Sequence, residues 1–75
     1  MSGLSDVHLT PVVSEAVDAV GYDYETRTLR VVFTSGKTYD YYDVPAHLYE
    51  VMLLPHPWRR VGQQIRAHAY REVAA

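Results

Sequence analysis

Two alternating runs of residues meet at a tight turn near the middle of this chain, and the second run is stopped by a proline. Leu29, Val31 and Phe33 alternate with Thr28, Arg30 and Val32, which is the pattern of a strand with one face turned to a core. Ser35-Gly36 supplies the positive φ that a short hairpin requires, so Thr38–Asp43 returns antiparallel to the first run. Val44-Pro45 then ends the sheet, and Pro45 fits the first turn of a helix, where a missing N–H has no partner to lose. A hairpin feeding a helix constrains the fold to the α+β class.

The flanking segments extend that unit. Ala16–Tyr22 reads as a strand and Asp23-Tyr24-Glu25-Thr26 as the turn after it, which completes a three-stranded antiparallel meander. Leu48, Val51 and Met52 lie on one stripe of a helix over 46–54. Pro55-His56-Pro57 stops that helix, and a second short one runs from Trp58 to Ala67 with Val61 and Ile65 at i, i+4 spacing. The tail from His68 to Val73 returns as a short edge strand or lies over the sheet. The first thirteen residues keep no period and contain Pro11, so 1–13 is expected to be an extended, flexible arm ahead of a single domain over 14–75.

Seventy-five residues make one domain at most, and such a chain buries only about 60% of its unfolded surface. With no cysteine to staple it, the remaining reinforcements are tight packing or self-association. No apolar run is long enough for a membrane span, and the first residues carry neither a basic nor an apolar leader segment, so a cytoplasmic location is expected. Charge is divided unevenly. Three basic side chains face eight acidic ones before residue 51, whereas Arg59, Arg60, Arg66 and Arg71 face only Glu72 after it. That asymmetry makes either a basic surface or a basic tail neutralised by the acidic half.

Ala19-Val20-Gly21-Tyr22-Asp23, Leu29/Val31/Phe33, Ser35-Gly36, Tyr39/Tyr41, Val44-Pro45, Tyr49, Leu53 and Ile65-Arg66 together resemble the KTSC domain, over about residues 14 to 73. That family is named after the C-terminus of some lysyl-tRNA synthetases and also occurs as free-standing bacterial and phage proteins. The resemblance implies no established activity; its synthetase context implies RNA binding. Gly62 stands where the family usually has an asparagine.

Tyr39 and Tyr41 project from one face of their strand, with Asp40 and Tyr42 on the other. Rings on an open sheet face stack unpaired bases, at about 1–3 kcal/mol per base, and the same rings equally well pack a core against Val31 and Phe33. Arg59 and Gln63 share a helix face with Arg66 near it, beside Trp58, an arrangement suited to phosphate contacts or to a solvated helix face. The expected function is a non-catalytic accessory module for RNA or other single-stranded nucleic acid. Lys37, Arg59, Arg60, Arg66 and Arg71 would contact phosphate, and Tyr39 and Tyr41 would contact bases. The alternative is a protein-interaction or self-association module with the same tyrosines buried. A lesser alternative is a small ribonuclease using two of His47, His56 and His68 as base and acid. The histidines have no metal-ligand spacing, the glycines make no phosphate loop, and Asp40 and Asp43 read as helix-capping carboxylates, so no cofactor, metal or catalytic residue is assigned.

Overall fold

The structure, a computed structural model, describes residues 7–73; the first six residues of the expected arm and the last two of the chain lie outside the described residues. The elements in order are β1 (Thr10–Pro11), β2 (Val17–Asp23), β3 (Thr28–Phe33), β4 (Thr38–Tyr41), α1 (Ala46–Met52), α2 (Pro57–Arg66) and β5 (Tyr70–Val73). All five strands join one antiparallel sheet in the order β1-β2-β3-β4-β5. The α+β class and the two helices agree with the sequence reading. Two strands join the expected three: β5 realises the edge-strand alternative for the tail, and β1 is too short to show a period in the sequence. The described part of the arm is extended and paired: Thr10 lies opposite Val20, and the Val12 N–H donates to the Asp18 carbonyl at 3.0 Å.

β3 forms where expected, and its hairpin closes through Phe33 N–H to Lys37 O at 2.8 Å and Gly36 N–H to Phe33 O at 2.9 Å. Gly36 takes φ +97°, the positive value the turn requires, and a Cβ there would meet nothing within 4 Å. Its need for glycine is therefore conformational rather than steric. In β2 the register slips between Val17 and Ala19, a bulge that puts Val17 and Val20 on the same face although they are three residues apart. Both are fully buried.

That face carries the core. Val17, Val20, Leu29, Val31 and Tyr41 from the sheet meet Val44, Leu48 and Met52 from α1 and its lead-in and Val61 and Ile65 from α2. Burial falls across the sheet, from 0% exposure at Val20, Leu29 and Val31 to 5% at Tyr41 and 61% at Tyr70. The helical layer therefore ends between β4 and β5.

On the opposite face Arg30 and Asp40 are direct cross-strand partners, joined fork to fork by Nε to Oδ1 at 2.7 Å and Nη2 to Oδ2 at 2.9 Å. Asp40 is 4% exposed, so this carboxylate is a buried clamp between β3 and β4 and not a helix cap. Asp43 does not cap either. It takes φ +56° and sits 3.6 Å from Arg27 Nε, while α1 has Pro45 as its N-cap residue and no side-chain cap.

Gly21 shows why the N-terminal segment can lie against the sheet. A Cβ there would come within 2.3 Å of Val7 Cγ1 and 2.7 Å of the His8 carbonyl oxygen. The second contact is backbone and cannot swing aside. Gly21→Ala is expected to lower unfolding stability in urea by about 1–3 kcal/mol and to expose residues 7–11 to protease; an unchanged midpoint and cleavage pattern would contradict this close packing.

Candidate binding groove

Where the helical layer stops, the inner sheet face turns into a groove of about 500 Å³ lined by Phe33, Tyr39, Tyr41, Trp58, Arg66 and Tyr70. Its residues come from four elements. Phe33 ends β3, Tyr39 and Tyr41 lie two apart on β4, and Tyr70 opens β5 opposite Tyr41. Trp58 and Arg66 stand near the two ends of α2.

The rings form a closed circuit. Trp58 meets Phe33 edge-on at 5.1 Å, Phe33 meets Tyr39 at 5.8 Å, Tyr39 meets Tyr70 at 5.7 Å, Tyr70 meets Tyr41 at 5.9 Å, and Tyr41 returns to Trp58 at 6.4 Å. These are edge-to-face and tilted contacts, the favoured geometries for aromatic pairs. They leave the rings unequally exposed. Tyr41 is buried and forms the floor, Phe33, Tyr39 and Trp58 are half-buried walls, and Tyr70 is exposed at the rim.

Of the residues expected to bind nucleic acid, the structure gathers three at this groove: Tyr39, Tyr41 and Arg66. Tyr41 offers almost no ring face to a ligand, so its part is packing. The other basic residues are dispersed. Lys37 lies in the β3–β4 turn, and Arg59 sits 3.9 Å from Glu15 with both side chains largely exposed. Arg60 donates through Nε to the Pro55 carbonyl at 2.9 Å, while Arg71 pairs in register with Asp40 on the outer sheet face. Phe33 and Tyr70 are groove residues that sequence reasoning did not single out as binding residues. Phe33 was assigned to the core, and Tyr70 lies in a tail whose four-residue strand is too short to reveal its face.

No histidine lines the groove. His68 Nδ1 donates to the Tyr42 carbonyl at 3.1 Å, and His56 precedes α2 in the left-handed region with its backbone N–H given to Val13 O at 2.7 Å. Among the described residues, no three metal-ligating side chains gather. A second aromatic group lies at another edge of the core. There Tyr22 stacks on Tyr49 at 5.1 Å and 11°, Tyr24 meets Tyr22 edge-on at 4.8 Å, and the Tyr22 hydroxyl donates to the Val44 carbonyl.

Burial pushes the Tyr41 phenol above its ordinary value; the neighbouring Tyr39 adds to the shift and the Arg66 guanidinium partly offsets it. Burial raises the Tyr22 phenol as well. The unfolded chain therefore gives up these protons first. The stability they contribute is full below about pH 10 and is lost as pH rises through the higher folded values. In an alkaline titration followed by phenolate absorbance, Tyr41 and Tyr22 should ionise above the ordinary phenol value. Loss of the Tyr41 and Tyr22 protons at the ordinary value, while the fold persists, would contradict the burial described here.

The KTSC domain description matches residues 13–54, which covers β2 to α1 and stops before Trp58, Arg66 and Tyr70. A protein of Tsukamurella paurometabola is 36% identical over 66 residues, covering 88% of this chain and 98% of that protein. The crystal structure of a KTSC domain protein from Yersinia pestis superposes with a TM-score of 0.82 at 24% identity, covering 91% of this chain and 99% of the other.

Proposed function

This chain belongs to the KTSC domain family, and on that premise we propose that it is a non-catalytic binding module for single-stranded nucleic acid, RNA included, which takes an unpaired base into the aromatic groove. The observation that carries the reading is the closed circuit of five rings with one guanidinium at its margin. A base has two flat apolar faces and a phosphate a short distance away, and the groove offers both complements. Trp58, Tyr39 and Tyr70 would hold the base and Arg66 the phosphate. Tyr41 would support the floor without touching the ligand.

The charge layout sets how such binding should respond to salt. A chain that tracks a backbone needs several cations in a row, but among the described residues Arg66 is the one cation lining this groove, and Glu72 shares the β5 face with Tyr70. Binding should therefore rest mainly on stacking. Each phosphate neutralised on a single strand contributes a slope of about −0.7 in log affinity against log salt, so a slope near one phosphate is expected rather than a steep one.

One observation favours a second reading, a protein-docking module. β5 is an edge strand whose described residues pair on one side only, and an extended partner can add to such an edge. That mode would be indifferent to the groove and to salt.

Quenching of Trp58 fluorescence by a single-stranded RNA decamer tests the proposal, since Trp58 is the chain's one tryptophan. Tyr70→Ala should weaken binding by about 1–3 kcal/mol, Arg66→Ala should flatten the salt slope, and Arg71→Ala, on the other sheet face, should leave both nearly unchanged. Absence of quenching at low salt would overturn the base-binding reading, and a loss on Arg71→Ala equal to that on Arg66→Ala would overturn its location.

A further inference from the structure

Gly62 sits inside α2, one turn after Trp58, and it is buried. A glycine in a helix interior is unfavourable relative to alanine, so its presence there calls for a steric reason. The structure supplies one. A Cβ built on Gly62 would lie 2.9 Å from Trp58 Cδ2, 3.0 Å from Cε2 and 3.0 Å from Cγ. Those atoms are the rigid centre of the indole, so no terminal rotation relieves the contact. In a helix the side chain at i+4 leans back over residue i, and here that space is filled by the indole itself.

We infer that Gly62 sets the width of the aromatic groove, by letting the Trp58 indole lie back against α2, and that it is thereby a specificity-determining residue for the size of the base admitted. The inference rests on the base-binding reading above. Trp58 meets Phe33 edge-on and Tyr41 at a tilt along the groove wall, at 5.1 Å and 6.4 Å between centroids. A side chain at position 62 drives the indole away from the helix and toward those two rings. The groove then narrows at the wall made by α2, and a purine loses its place before a pyrimidine does. The three atoms nearest to that Cβ all belong to Trp58, so the change acts first on the indole and not on the phosphate contact or the rim ring. The Trp58/Gly62 pairing thus makes base size, and not charge, the quantity that position 62 controls.

Gly62→Ala tests this in the full chain, with labelled oligo(A) and oligo(U) decamers followed by fluorescence anisotropy. Alanine favours the helix, so the variant is expected to fold. Its indole N–H resonance should shift, oligo(A) affinity should fall about tenfold, and oligo(U) affinity should change less than about threefold. Adding Trp58→Phe to Gly62→Ala removes the larger ring and should restore oligo(A) relative to oligo(U). An unshifted indole resonance would overturn the packing argument. A shifted indole with equal losses on both decamers, or no rescue by phenylalanine, would overturn the role in base size. Wild-type protein that binds neither decamer would overturn the base-binding reading and the selectivity with it, whereas the indole shift would still report on the packing.

Discussion

Val20, Leu29 and Val31 are sealed from water by two short helices that reach no further than β4, and the remaining architecture follows from where that cover ends. A chain of this size has little apolar surface to bury and no disulfide to add to it. The apolar residues of α1 and α2 are therefore committed to the centre of the sheet. The inner face beyond Tyr41 is left to aromatic side chains, which pack against one another edge to face and keep part of their surface open. The groove is the margin of the core, built from the same strands and with the same chemistry.

The outer sheet face is fixed by different means. The Arg30–Asp40 fork holds β3 and β4 in register, and register decides which side each tyrosine takes, since a slip of one residue would turn Tyr39 and Tyr41 outward. The β2 bulge performs a similar task one strand away by aligning Val17 with Val20. The rings of the groove are thus positioned by a charged pair on the opposite face and by a backbone irregularity two strands distant. Their own contacts then set the final angles. Gly62 adds the last adjustment, at the wall contributed by α2.

Much of this frame was legible in the sequence. The alternation of Leu29, Val31 and Phe33, the turn at Gly36 and the stop at Pro45 gave β3, its hairpin and the start of α1, because period and turn chemistry are local properties. The fate of Asp40 was not legible in the same way. A carboxylate near a helix start resembles a cap, and only the cross-strand register reveals Arg30 as its partner. The face taken by Tyr70 and the strand Thr10–Pro11 escaped for a related reason: strands of four and two residues carry no period, and their pairing is decided by neighbours far away in the chain. Among the candidate contacts, Tyr39, Tyr41 and Arg66 line the groove and Arg59, Arg60 and Arg71 do not, a separation that residue type alone could not make. The distinction between those arginines is one of face and edge, which composition does not contain. The sequence places Trp58 beside the arginines, while its packing on Gly62 becomes visible only once both lie on neighbouring turns of one helix.

The central claim is that the uncovered aromatic margin, and not the outer face or the β5 edge, is the surface that meets a ligand. Chemical-shift mapping of labelled protein titrated with a single-stranded RNA decamer tests it most directly. The account predicts that the largest perturbations fall on the side-chain resonances of Phe33, Tyr39, Trp58, Arg66 and Tyr70, with Arg30 and Arg71 nearly still. Perturbations centred on the outer face, or confined to the backbone of Tyr70–Val73, would contradict it.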